Sequence, residues 1–476
     1  MGRPTVFPTG TTIYDPEKCQ SGYTLFTGMG KGVILIDMNG KVVRFWEGLN
    51  GFPCKMIKGG YLLASRGARE ATDAYQDMQD VTMVDWDGNI EWTFEHNQQV
   101  TDEIAGEHWV ARQHHDYQLE GNPVGYPCPG QESTTDFQKV LMLTHNDVRK
   151  PKISPQLLLE DRLIEIDREG NLLWEWNMLD HFNEFDLTEA QKNVMYRDPN
   201  IQDAGPEGQG DIFHVNCASY LGPNHWFDEG DERFAPDNII MDSREANIMW
   251  IVDHESGKVV WQVGPDFTKS RELRIFGTII GPHHTHMIPK GLPGAGNVMV
   301  YDNGGWAGYG LPSQTSKMGL KAERRDGSRV VEFDPTTMKI VWKCEGEQLG
   351  NQPGFPFTSN YFYSPLTSDA QRLENGNTLI CEGTSAKIME FTPDNKLVWE
   401  YVYPDVGPGL LYRAYRIPYD WIPQLDAPEE IAIARIDNRE YNMPGAANRD
   451  YDAVAVKVPD TKGFPKRMAH CVDKLD

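Results

Sequence analysis

Membrane-spanning runs are missing from this chain of 476 residues: no apolar stretch approaches the ~18 positions that a helix across a bilayer needs. Positive charge is scarce, with 45 lysines and arginines against 70 acids and a net charge of -25. A surface of that sign repels nucleic acid and anionic membranes, so neither is an expected partner. An anionic substrate would need a local positive site. Closely spaced cysteines are also missing. The seven (Cys19, Cys54, Cys128, Cys217, Cys344, Cys381 and Cys471) are odd in number, scattered, and form no CxxC. That pattern excludes a zinc ribbon and speaks against a disulfide framework. The opening "MGRPTVFPTGTTIYDPEK" has no basic segment followed by an apolar one, and Val6 stands where a myristoylation motif requires Ser or Thr. A cytoplasmic protein is the expectation.

What is present is a repeat. Six segments, beginning at Val33, Val81, Arg162, Ile248, Arg329 and Lys387, each read as a β-rich run, a short polar turn and a second β-rich run. A Trp follows the turn in each: Trp46, Trp92, Trp174, Trp261, Trp342 and Trp399. The D-x-x-G turns at Asp37–Gly40, Asp85–Gly88 and Asp167–Gly170 supply the positive φ of a tight hairpin. A lone hairpin cannot bury its apolar face, so six of them imply stacked units. Further strand candidates between them ("GGYLLASRG", "KVLMLTHND", "DNIIMDSRE", "GNVMVYDNGG", "NGNTLICEG") give about four strands per unit, the content of a propeller blade. The fold expected is all-β: a six-bladed β-propeller with large inter-strand insertions, over residues 1–425 including the N-terminal segment. The alternative is two ordinary antiparallel β domains. Residues 426–476 are expected to form a C-terminal extension packed on the propeller. Helical insertions are expected at Phe185–Tyr196 and near Ser154–Asp161.

Thirteen histidines are present, and three groups of them stand just before strands leading into the repeats. "RQHHDYQ" holds His114, His115 and Asp116, "DIFHVNC" holds His214 and Asn216, and "GPHHTHM" holds His283, His284 and His286. Equivalent blade positions converge on a propeller's axis, so three blades would present imidazoles together. Arg244, Arg372, Arg413 and Arg416, with Tyr415 between the last two, lie near inner-strand candidates. Guanidinium forks suit tetrahedral oxyanions, and a sulfate or phosphate ester is the natural guest. His145 and the other scattered histidines read as structural or surface residues.

The hairpins, "HHDYQ", "FHVN" with the following "DSRE", "HHTHMIP…NVMVYDNGG" and "SPLTSDAQRLENGNTLICEGTSAKIMEF" resemble the bacterial PAPS-independent aryl-sulfate sulfotransferases, from about Gly22 to Pro423. Those are six-bladed propellers that move a sulfuryl group from one phenol to another through a sulfated histidine. The resemblance implies no cofactor and a small aromatic substrate. It matches His214 and Asn216 to the family's His–Asn pair, Arg244 to its arginine, and His115 to a first-blade histidine. It matches the nucleophile to His283, or to His284 after a shift of one residue. Pro282 stands where the family has Gln. As implied, His283 attacks sulfur, His115 or His214 protonates the leaving phenolate, and Arg244 and Asn216 hold the sulfuryl oxygens. His284, His286, Arg413, Tyr415 and Arg416 would contact substrate. Phe213, Trp306, Phe362, Tyr363 and Tyr412 are candidates for its aromatic lining.

Two other readings stay open. His115, His214 and His284 or His286 could bind a divalent metal ion, because a His-x-His in a strand points both rings to one face. The chain would then be a metal-dependent lyase, hydrolase or oxygenase acting on an aromatic compound. A propeller used only as a binding platform is the other. Assembly into a homo-oligomer is also left open.

Overall fold

The computed structural model describes residues 9–28, 32–67, 77–95, 98–102, 106–200, 210–349, 362–404 and 410–434. Glycine closes the repeat turns as its φ freedom requires: Gly40, Gly88 and Gly170 have φ of 86°, 86° and 88°. The turn aspartate finishes the job. Asp37, Asp85 and Asp167 each accept the backbone N–H four residues on, at 2.9, 2.8 and 2.8 Å. These hairpins are the two outer strands of six antiparallel sheets, each of four strands, with one extra strand on two of them. The sheets are the six blades expected.

The inner strands are Leu411–Ile417 in blade 1, Asn50–Ile57 in blade 2 and Gln113–Leu119 in blade 3. Val215–Tyr220, Pro282–Met287 and Asp369–Arg372 serve blades 4, 5 and 6. Each packs beside the next, and blade 6 returns to blade 1. Both ends of the ring are tied. Leu411–Ile417 pairs with Tyr23–Gly28 to complete blade 1, and Gly10–Tyr14 pairs with Leu397–Val402 on the rim of blade 6. Middle strands such as Ile248–Val252 are buried on both faces, while the outermost strands alternate exposed and buried residues. The apolar layers between blades form the core.

The Trp repeat has a specific cause. In five blades a tryptophan donates its indole N–H to a carbonyl in the hairpin turn of the next blade. Trp46 reaches Trp86 O at 3.3 Å and Trp92 reaches Arg168 O at 2.7 Å. Trp261 reaches Pro335 O at 2.9 Å, and Trp399 reaches Met38 O at 2.8 Å. In blade 3 the residue is Trp176, which reaches Gly257 O at 2.8 Å, not Trp174, whose ring stacks on His254. Trp342 has no such bond among the described residues. The indole thus fills the gap between blades and staples them with its polar edge.

A helix forms at Glu189–Arg197, with Thr188 and Gln191 as a capping box. The helix expected near Ser154–Asp161 is absent. Leu158–Asp167 is a strand instead, paired along its length with Lys139–Val148. Its apolar run fits either period, and the ladder decides. Of the expected extension, Ile433 bridges Tyr14. Residues 435–476 lie outside the described residues. Among the described residues no helix is long and apolar enough to cross a membrane.

Candidate active site

The inner strands of blades 3, 4 and 5 begin with a bulge, marked by shifts in pairing at Gln113/Tyr117, Val215/Cys217 and His283/His286. A histidine sits at each in the left-handed region: His115 at φ 52°, His214 at 51° and His284 at 53°. Outside glycine that conformation costs about 1–3 kcal/mol, and bulges re-aim side chains. Three blades therefore hold an imidazole with the same strained device. Blade 6 puts Ser368 there, at φ 88°. By backbone equivalence His284, not His283, corresponds to His115 and His214.

Side-chain placement sorts these residues differently. The His115 and His214 rings meet edge to face, centroids 4.8 Å apart. His214 and Arg244 stand close enough to His283 to disfavour its charged form, and His283 does the same to His115. Burial, then Arg244, hold the His283 imidazole well below its usual pKa. Its Nδ1 lies 2.7 Å from Asn303 Oδ1 and 3.1 Å from Gly281 O, and its Nε2 accepts the Thr367 N–H at 3.2 Å. His214 Nδ1 lies 2.5 Å from Asp211 Oδ2. Arg244 bonds Glu245 and donates to Trp306 O at 3.1 Å. Asn216 Nδ2 donates to Pro282 O at 2.8 Å. Phe52 and Tyr412 stack at 4.0 Å, and Phe52 lies 4.8 Å from the His115 ring.

His284 and His286 belong to a second, fully buried group. Their rings are 4.4 Å apart, with Tyr126 and Tyr415 beside them. His286 Nε2 is 3.0 Å from the Tyr126 hydroxyl, and burial pushes its pKa down to about 4. His284 Nδ1 stands 3.9 Å from Asp369, whose carboxyl burial pushes up to about 8. The four metal ligands expected from sequence, His115, His214, His284 and His286, are thus divided between two groups.

Asp116 links the blades at this depth. It accepts from Lys55 of blade 2 at 2.6 Å, Arg413 of blade 1 at 3.0 Å and the Ala218 N–H of blade 4 at 3.3 Å. Burial alone would raise its pKa, and Arg413 and Lys55 overcome that and hold it below the usual range. Lys55 is driven down to about 8, by burial first. Arg413 also donates to Asn216 O at 2.8 Å.

Some expected contacts are engaged elsewhere. Arg416 bonds Glu390 at 3.0 Å and Thr24 at 2.8 Å, and Arg372 pairs with Glu332 at 2.5 Å. Phe213 packs in the core against Phe185, and Phe362 packs near Tyr301. Trp306 is exposed, Tyr363 is half-buried, and the Tyr412 hydroxyl donates to the His115 and Asn216 carbonyls. Lys55, Asn303, Tyr126, Asp369, Phe52 and His145 also belong to these groups, though the sequence does not by itself mark them as site residues. Asn303, in the "DNG" after the fifth blade's second strand, carried the clearest signal.

A family model for arylsulfotransferase (ASST) matches residues 132–403, more than half of the chain. The chain belongs to the arylsulfotransferase family. The match includes His214, Asn216, Arg244, His283, His284 and Asn303. His115 precedes it. No curated protein sequence matches the chain. Similar solved structures include a Bacteroides caccae protein of unknown function, with 12% identity and a TM-score of 0.44 over 84% of this chain and 99% of that one. Another is virginiamycin B lyase from Staphylococcus aureus, with 10% identity and a TM-score of 0.33 over 83% and 85%.

Proposed function

We propose that this chain moves a sulfuryl group from an aryl sulfate to a phenol through a sulfated His283. The carrying observation is the set of hydrogen bonds around that ring, which fixes its tautomer. Asn303 Nδ2 donates to Ser364 O and Thr367 O at 2.7 and 2.8 Å, which turns its Oδ1 toward His283. An acceptor facing Nδ1 places the ring proton there. Nε2 keeps its lone pair, and burial keeps the ring neutral, the state a nucleophilic imidazole needs.

In the first half-reaction Nε2 attacks sulfur. The Nε2–S bond forms as the S–O bond to the phenol breaks, and the electron pair leaves with phenolate. His214, held through Nδ1 by Asp211, enters this step as imidazolium and gives phenolate its Nε2 proton. Arg244 and the second N–H of Asn216 steady the sulfuryl oxygens. The Thr367 amide must release Nε2 on attack and is then a further donor beside them. Phe52 and Tyr412 offer an aromatic wall for the phenol. The acceptor reverses these steps, with His214 taking its proton.

Purified protein with 4-nitrophenyl sulfate should release 4-nitrophenolate only when an acceptor phenol is present. His283→Ala should abolish release while His284→Ala retains it. Transfer by folded His283→Ala protein overturns the assignment.

A further inference from the structure

Blade 3 carries a third histidine group that this chemistry does not use. His145 and Asp161 are opposite each other in the ladder between Lys139–Val148 and Leu158–Asp167, and His114 leads in from the inner strand. All three are buried. His145 Nδ1 lies 2.5 Å from Asp77 Oδ1, and Arg112 holds Asp77 through its other oxygen at 2.8 Å. A carboxylate facing Nδ1 takes that proton, so His145 Nε2 presents a lone pair. It faces Asp161 Oδ1 at 3.7 Å, and His114 Nε2 faces the same oxygen at 3.6 Å. His114 Nε2 and Asp161 Oδ2 have no hydrogen-bond partner among the described residues. Lone pairs facing one another in a dry interior repel unless a proton or a metal ion stands among them.

The dimensions suit a small ion. The three ligand atoms lie within 4.8 Å of one another, and among the described residues no other such group of three occurs. Ligand atoms around a tetrahedral zinc ion are about 3.3 Å apart, from metal–ligand bonds of about 2.0–2.1 Å. Binding needs the two imidazoles, which now stack face to face at 3.5 Å, to splay apart until both ring planes meet at the ion. Two imidazoles and a carboxylate are a donor set for zinc and its neighbours in the first transition row. Asp77 behind His145 supplies the carboxylate–histidine support common at such sites.

We propose that His114 Nε2, His145 Nε2 and Asp161 bind one divalent transition-metal ion of the zinc class. The site is distinct from the ligand set read from the sequence and does not depend on sulfuryl transfer. It has a consequence for its neighbour. His114 Nδ1 lies 2.8 Å from His115 Nδ1. With Nε2 on a metal, His114 carries its proton on Nδ1 and donates it to His115. His115 must then hold its own proton on Nε2. Asp161 and His145 act as positioning residues for a ring in the reacting group.

The test uses the full chain, stripped with a chelator and dialysed against zinc or cobalt chloride. One metal per chain by elemental analysis is expected, with a rise in thermal midpoint and, for cobalt, the visible absorption of a tetrahedral N/O site. His145→Gln should lose the bound metal, while His286→Ala should keep it. If His145→Gln does not fold, the cobalt spectrum of the wild type still decides. Folded wild type without stoichiometric metal, a cobalt spectrum of six-coordinate aquo type, or metal retained by His145→Gln overturns the site. None of these readouts uses sulfuryl transfer.

Discussion

Asp116→Asn should destabilise the protein more than Lys55→Met, although both break the same buried pair. Two cations, Lys55 and Arg413, share this one carboxylate. Removing the carboxylate leaves both cations facing each other in the interior, a change that typically costs about 3–5 kcal/mol. Removing the lysine leaves Asp116 and Arg413 as a balanced pair. The loss is then confined to the donors that served Tyr117 O at 2.5 Å and Gln118 Oε1 at 2.9 Å, about 1–3 kcal/mol. Lys55 adds a pH signature. Its folded pKa of about 8 lies below the ordinary lysine value, so its contribution is present above that value and is lost as pH falls through about 8. The deficit of Lys55→Met relative to wild type should therefore grow by up to ~1.4 kcal/mol per unit as pH rises from about 8 toward 10. Urea unfolding of both variants measures this. A Lys55→Met cost equal to or above that of Asp116→Asn, or a deficit flat with pH, refutes the account.

His214→Ala should lower turnover of 4-nitrophenyl sulfate by about 100- to 10,000-fold, with less loss for donors whose phenols are more acidic, because a good leaving group needs little proton help. Asp369 titrates near 8 in the folded chain, above its ordinary value, so its stabilising contribution is full at low pH and lost as pH rises through about 8. Asp369→Asn should therefore gain on wild type by up to ~1.4 kcal/mol per unit between pH ~4 and ~8, read from urea midpoints. Trp399→Phe should cost about 1–3 kcal/mol in the same assay, since it leaves the Met38 carbonyl without its indole donor. An unchanged midpoint would show that the indole contributes bulk alone.

The architecture was legible because most blades repeat one demand. In five a Trp bridges to the next turn, and in four a Gly closes the turn, so the pattern recurs in sequence. Trp174 and Trp176 lie in one outer strand on the same face, and only the neighbouring turn distinguishes them. Ser154–Asp161 misread because its residues suit two periods. The histidine groups were legible as groups, through their common place before inner strands. Their division was not. A bulge shifts the register by one residue, so His283 and His284 face different surroundings, and nothing in "GPHHTHM" records that shift. Lys55 carried no signal, because its partner Asp116 comes from another blade. His145 looked ordinary because its partners, Asp77 and Asp161, become neighbours only when the sheet pairs.

The closure of blade 1 also sets a timetable for synthesis. Tyr23–Gly28 emerges early, yet its inner-edge partner is Leu411–Ile417, near the far end of the ring. At about 5–20 residues per second, that edge waits roughly 20–80 seconds on the ribosome with its backbone groups unpaired. An open strand edge is a template for the wrong partner, including another nascent chain. Release before residue 417 leaves the ring one strand short at the seam where Arg413 would meet Asp116. Slower translation lengthens that exposure, however stable the finished ring is.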